Sequence, residues 1–159
     1  MRRTPSDIVA DRVQQIRRRR GLTAQELAER CAELGMSKLS AAAISNIETG
    51  RRVDGRRRRD VTVDEWLVLA VALSVHPVDL LIPPDAGMSA YPFAPSRAES
   101  ARDVRDWVRG FKLLPGGDWQ KHLSEAPPDD YYLDDGVPSP AWVRREPEQW
   151  EEEPDRGRR

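Results

Sequence analysis

Val9, Val13 and Ile16 recur at spacings of four and three residues within the segment from Ser6 to Arg20. That spacing places them on one stripe of a helix. Ser6 or Thr4 can cap its start, and Gly21 stops it. A second helix opens at Thr23-Ala-Gln-Glu26, a capping box in which the first and fourth residues satisfy each other's backbone donors. Its inner face is Leu27, Ala28, Cys31 and Leu34, and Gly35 breaks it. Ser40 is the best N-cap for a third helix, which runs to about Glu48, buries Ile44 and Ile47, and ends at Gly50. Thr62-Val-Asp-Glu65 is another capping box and starts a fourth helix with Trp66, Leu69, Ala70 and Leu73 on one face. Pro77 suits the first turn of a short fifth helix, in which Leu80 and Leu81 close the core.

Between the third and fourth helices, residues 51–61 lack apolar periodicity and read as an arginine-rich loop. Beyond Ile82 the character changes, with eleven of the 13 prolines in that part of the chain. Residues 83–95 read as a linker. Ser96-Arg-Ala-Glu99 resembles a capping box for an amphipathic helix over 96–114, with Val104, Trp107, Val108 and Phe111 on one side. Residues 115–159 are rich in Pro, Gly and acidic residues and read as a disordered tail, too polar to offset its ordering entropy. The predicted class is all-α, with a domain at 1–82, a linker, a docking or dimerisation helix and a tail.

Charge sharpens this division. Residues 1–82 carry 15 Lys and Arg against 11 Asp and Glu, whereas residues 83–159 carry 11 against 16. The balance points to an anionic partner for the front half alone. The single Cys31 excludes an intramolecular disulfide and a cysteine-based zinc cluster, and its apolar neighbours place it in the core. No stretch approaches the ~20 apolar residues of a membrane span, and no signal peptide is visible, so a cytoplasmic protein is expected. The preference for arginine over lysine is compatible with a GC-rich bacterial genome.

A basic helix, a capped second helix, a turn and a third helix carrying Ile44-Ser-Asn-Ile-Glu-Thr-Gly50 form the layout of a helix-turn-helix. The segment to about Pro83 resembles the Xre and phage-repressor (Cro-type) family of transcriptional regulators. The resemblance implies a compact five-helix, lambda-repressor-like DNA-binding domain that reads the major groove of double-stranded DNA as a homodimer. It implies base contacts from the start of the third helix and from the polar residue before its inner Ile. With Lys38 leading in, the exposed positions there are Ser40, Ala41, Ala42, Ser45 and Asn46. Asn pairs bidentately with adenine, and small apolar faces meet a thymine methyl. The resemblance also implies that Arg17 and Glu48 form a structural pair joining the first and third helices. Ala24 departs from the family, whose members often carry a DNA-contacting Gln there, and Gln25 is the nearest substitute. The helix junction and the following loop are longer than the commonest pattern.

Arg51, Arg52, Arg56, Arg57, Arg58 and Arg59 directly follow the third helix, where phosphates of the same groove are expected. The planar donor fork of arginine suits them. Thr23 opens a helix whose positive end offers a further phosphate contact, alongside Gln25 and Lys38. Enzyme chemistry has little support. His76 and His122 are isolated, the acidic clusters lack calcium-loop spacing, and neither metal nor cofactor is expected. Trp107, Trp119, Trp142 and Trp150 could anchor a protein partner through the rear half. The leading expectation is a sequence-specific transcriptional regulator, most simply a bacterial or phage-encoded, nucleoid-associated repressor. An antitoxin-like or adaptor protein with an autoregulatory helix-turn-helix is one alternative. A weakly specific nucleoid-type binder is the other.

Overall fold

The computed structural model describes residues 3–50, 52–53, 56–57, 59–126, 131–134 and 137–140. The chain divides into two compact units, Met1–Arg109 and Gly110–Arg159.

The first unit is organised by helices whose starts are set by short polar side chains. Helix α1 spans Pro5–Arg19, and Thr4 rather than Ser6 caps it, in a capping box with Asp7. The Ser6 hydroxyl instead accepts the Val61 amide at 3.2 Å, tying the later loop to α1. Helix α2 spans Ala24–Glu33 behind the Thr23–Glu26 capping box. Helix α3 spans Ala41–Thr49, capped by Ser40, and Gly50 ends it at φ 71°. An L side chain would be strained in that left-handed conformation. Helix α4 spans Val63–Ala72 behind the Thr62–Glu65 box, and α5 spans Pro77–Leu81. Val13, Ile16, Leu27, Cys31, Leu39, Ile44, Leu69, Leu73 and Leu80 from these helices and their junctions form one buried core. Burial pushes the Cys31 thiol up to about 11, so it packs as an uncharged apolar group.

The all-α expectation is overturned by three antiparallel hairpins among the described residues. Strands β1 (Arg52–Val53) and β2 (Arg56–Arg57) pair within the segment read as a loop, opposing Arg52 with Arg57. After a 3₁₀ turn at Pro84–Ala86, β3 (Ala90–Ala94) pairs with β4 (Arg97–Ser100). The linker reading of 83–95 therefore fails. Helix α6 spans Ala101–Val108, beginning five residues later than expected, with Ser100 rather than Ser96 as its cap. Glu99 lies opposite Tyr91 in the hairpin and belongs to no capping box.

These added elements join the first unit because they bond to the end of α5. The Tyr91 hydroxyl donates to the Leu81 carbonyl at 2.7 Å, and Arg105 donates to the Ile82 carbonyl at 2.6 Å and pairs with Asp79. Tyr91 and Val104 are buried. Five residues make a marginal helix, and its last carbonyls lack intrahelical partners. The hairpin and α6 supply those partners. In the second unit, α7 (Trp119–Glu125) is capped by Asp118, and β5 (Tyr131–Asp134) pairs with β6 (Val137–Pro140). The expected disorder of 115–159 is thus contradicted at these elements. Trp142 and Trp150 lie outside the described residues.

A fragment ending at Ile82 loses the two carbonyl partners and the burial of Tyr91 and Val104. We expect it to be less stable than fragment 1–109 by about 3 kcal/mol or more. Urea unfolding followed by circular dichroism checks this. Equal midpoints would show that α5 needs no support from the hairpin.

Candidate nucleic-acid interface

Two sides of α3 carry different chemistry. Ile44 and Ile47 are buried in the core, and Glu48 beside them is 9% exposed. Arg17 on α1 grips this carboxylate with its fork, Nε to Oε1 at 2.6 Å and Nη2 to Oε2 at 2.7 Å. Gln14 adds a donor to Oε2 at 3.3 Å. The remaining Arg17 nitrogen, Nη1, donates to the Leu22 carbonyl at 2.7 Å. The hydrogen bonds to Glu48 raise the Arg17 pKa further, outweighing burial, so the guanidinium stays charged. One arginine therefore fixes α3 to α1 and to the turn that leads into α2.

The opposite side of α3 presents Ser40, Ala42, Ser45, Asn46 and Thr49 to solvent, while Ala41 is half-buried against the core. Ser40 uses its hydroxyl as the cap, accepting the Ala43 amide at 3.3 Å. Thr49 donates to the Ser45 carbonyl at 2.8 Å. The side chains of Ser45 and Asn46 make no hydrogen bond among the described residues, so their donors and acceptors are open to a ligand. Of the five residues expected to read bases, these two keep a full polar inventory.

The expected phosphate contacts separate into several environments. At the start of α2, Thr23 donates its amide at 2.7 Å and its hydroxyl at 2.8 Å to Glu26. These bonds, from the Thr23 amide first, hold Glu26 below its ordinary carboxylate pKa. The positive end of α2 thus already faces a carboxylate. Gln25 donates to Glu29 at 2.9 Å, and Lys38 is exposed. Arg52, Arg56 and Arg57 lie in the β1–β2 hairpin, immediately after α3 in the chain. Arg51 and Arg58 lie outside the described residues.

Arg59 differs from the rest of the run. Its two terminal nitrogens hold Glu65 at 2.8 and 3.0 Å. Glu65 is 3% exposed and also accepts the Thr62 amide in the capping box of α4. Burial alone would push its pKa up. The bonds from Arg59 and Thr62, with the fields of Arg59 and Lys38, more than reverse this and set it below the ordinary carboxylate range. Arg59, itself at the surface, is therefore already engaged by the buried Glu65 carboxylate and is not a free phosphate contact. Sequence reading missed this because residues 59 and 65 are six apart across a loop, a spacing that no helix or strand rule selects.

The expected docking or dimerisation helix also changes. Val104 of α6 is 1% exposed and buried within its own unit. Trp107 and Val108 stay exposed, with Trp107 tilted against Phe93 at 5.8 Å between ring centroids. Phe111 falls in the second unit, past the end of α6. Among the described residues no group of His, Cys, Asp and Glu could hold a metal ion, and no helix is long and apolar enough to cross a membrane. Comparisons with protein-family models, curated proteins and solved structures gave no match.

Replacing Glu48 by Ala leaves the largely buried Arg17 charge unanswered, which costs about 3–5 kcal/mol. Chemical denaturation should show this loss, and the double change R17M/E48M should recover most of it. A loss in E48A no larger than that of an ordinary surface substitution would remove the clamp from the account.

Glu65 has a depressed folded-state pKa, so its contribution is fully present above the unfolded-state value of about 4.3 and fades as pH falls below it. Stability measured across that acid window should drop less steeply in E65Q than in the wild type. Parallel profiles would mean that Glu65 contributes nothing to acid unfolding.

Proposed function

We propose that this chain is a sequence-specific, double-stranded-DNA-binding transcriptional regulator, most simply a repressor, that lays α3 in the major groove. The observation that carries the reading is the asymmetry of α3. One side is clamped to α1 through Glu48, and the other offers unengaged Ser45 and Asn46 beside the small Ala42. A helix of ~10–12 Å diameter fits a groove ~12 Å wide. In that groove the Asn46 amide can pair with adenine N6 and N7, and the Ala42 methyl can meet a thymine methyl. The likeness of the Ile44–Gly50 motif to Xre and phage-repressor regulators supports the same assignment.

Arg52, Arg56 and Arg57 are the preferred phosphate contacts, because their hairpin follows α3 at once and arginine matches phosphate geometry. Lys38, just before α3, is a further candidate. Arg59 is excluded by its pairing with Glu65. Pairing of two copies on a two-fold operator, with half-sites ~34 Å apart, would supply the specificity that one short helix lacks.

A weakly specific nucleoid-type binder is the second reading, favoured by the three alanines at 41–43 that open α3 without a polar atom. Base-reading and phosphate-holding residues separate the two. In a titration against selected and random duplexes, N46A should lose about tenfold or more on the selected site and little on random DNA. The triple change R52A/R56A/R57A should weaken both equally and flatten the log–log salt slope by about 0.9 per lost contact. R59A should lower fold stability by up to about 1 kcal/mol while leaving that slope unchanged. Equal losses of N46A on both duplexes would favour the nucleoid reading, and absence of any retardation at low salt would sink both.

A further inference from the structure

Arg12 is a buried cation that DNA binding does not use. It lies on the side of α1 that carries Ile8, Asp11 and Gln15, facing the 3₁₀ turn and β3 across a cleft of about 460 Å³. Only 9% of Arg12 is exposed. Its Nε donates to the Asp79 carbonyl at 3.3 Å and its Nη1 to Gln15 Oε1 at 3.0 Å, while Nη2 has no acceptor among the described residues. Both partners are neutral. The Asp79 carboxylate is held by Arg105, and Asp11 by Arg3. Buried charges in proteins are ordinarily paired, because an unpaired one forfeits its hydration without return. The wall of this cleft thus carries a positive charge with no ion-pair partner of its own among the described residues.

The remaining lining restricts what that anion can be. Ile8, Ala86, Ala90 and the ring of Tyr91 are apolar, and the Tyr91 hydroxyl is engaged by the Leu81 carbonyl. Arg3 and Asp11 neutralise each other, and Asp85 adds an exposed carboxylate to the lining. A polyanion such as a nucleotide phosphate would bring two or more charges to Asp85 and a single unpaired cation among the described lining residues. A single carboxylate with an apolar body meets one cation and an apolar wall. The volume lies in the ordinary range of small-molecule sites, ~300–1,000 Å³.

We infer that the cleft between α1 and β3 binds a small amphipathic monocarboxylate, its carboxylate on the Arg12 guanidinium and its apolar body against Ile8, Ala86 and Tyr91. The site joins the hairpin to the helix that bears Arg17, and it stands whether or not α3 binds DNA.

Calorimetric titration of the full-length protein tests the assignment with octanoate and benzoate as aliphatic and aromatic probes, against octanol and inorganic phosphate. At least one carboxylate should bind saturably with one site per chain. Octanol, which loses the charge-assisted bond, and phosphate, which loses the apolar contact, should each bind at least about tenfold more weakly, a factor equal to ~1.4 kcal/mol. R12Q should weaken carboxylate binding by a similar factor. A90W fills the cleft without touching the cation, and should abolish binding while the circular dichroism spectrum stays that of the wild type. It decides the matter if R12Q fails to fold. Absence of saturation by either carboxylate in the millimolar range, octanol or phosphate matching them, or unchanged binding in a folded A90W would each overturn the proposal.

Discussion

Arg17 and Glu48 hold the parts of the first unit in register. The guanidinium presents two parallel donors to the two carboxylate oxygens, and its third nitrogen reaches the Leu22 carbonyl. Three segments meet at that group: α1, the turn before α2, and α3. Apolar burial of Ile44 and Ile47 holds α3 against the core, but dispersion is non-directional and tolerates rotation about the helix axis. The bidentate pair does not, since both bonds are lost when the fork turns out of plane. The solvent side of α3 is defined by that constraint, and any chemistry assigned to Ser45 and Asn46 depends on it.

The same device recurs at α4, where Arg59 meets the Glu65 that also caps the helix, and at α5, where Arg105 meets Asp79. Each carboxylate is buried or partly buried, and each is answered by arginine rather than lysine. A planar fork loses less freedom per bond formed than a flexible ammonium. This changes what the basic excess of residues 1–82 means. Arg17 is enclosed with Glu48, and the exposed Arg59 is paired with Glu65, so part of the excess is answered within the protein. The count of basic side chains therefore overstates the charge that is left without an acidic partner.

The helical starts were legible because a cap is a local event. Thr23 with Glu26, Ser40, and Thr62 with Glu65 each satisfy donors within one turn of themselves, so spacing in the sequence is enough to find them. Gly50 was legible for the same reason at the other end of α3. The β3–β4 hairpin was not. Pro92 argues against a strand in a central position, but both strands of a two-stranded hairpin are edges, where proline is tolerated, and Pro95 falls in the turn between them. The register shift between Tyr91 and Ala94 further hides the alternation that would mark a strand. Ser96 and Glu99 had the spacing of a capping box without the helix to use it.

Arg12 shows a different limit. In the sequence it precedes Val13 and looks like one more basic residue of a basic helix. Its burial depends on α5 and on the turn after it, more than sixty residues away in the chain. Long-range packing decides which arginines of α1 are exposed and which are enclosed, and periodicity cannot see it. Arg18 and Arg19, which end α1, run on into solvent, Arg17 is held by Glu48, and Arg12 faces a cleft. One helix thus carries arginines in three electrostatic settings. The settings follow from what each packs against, and the functional reading follows from the settings rather than from the count.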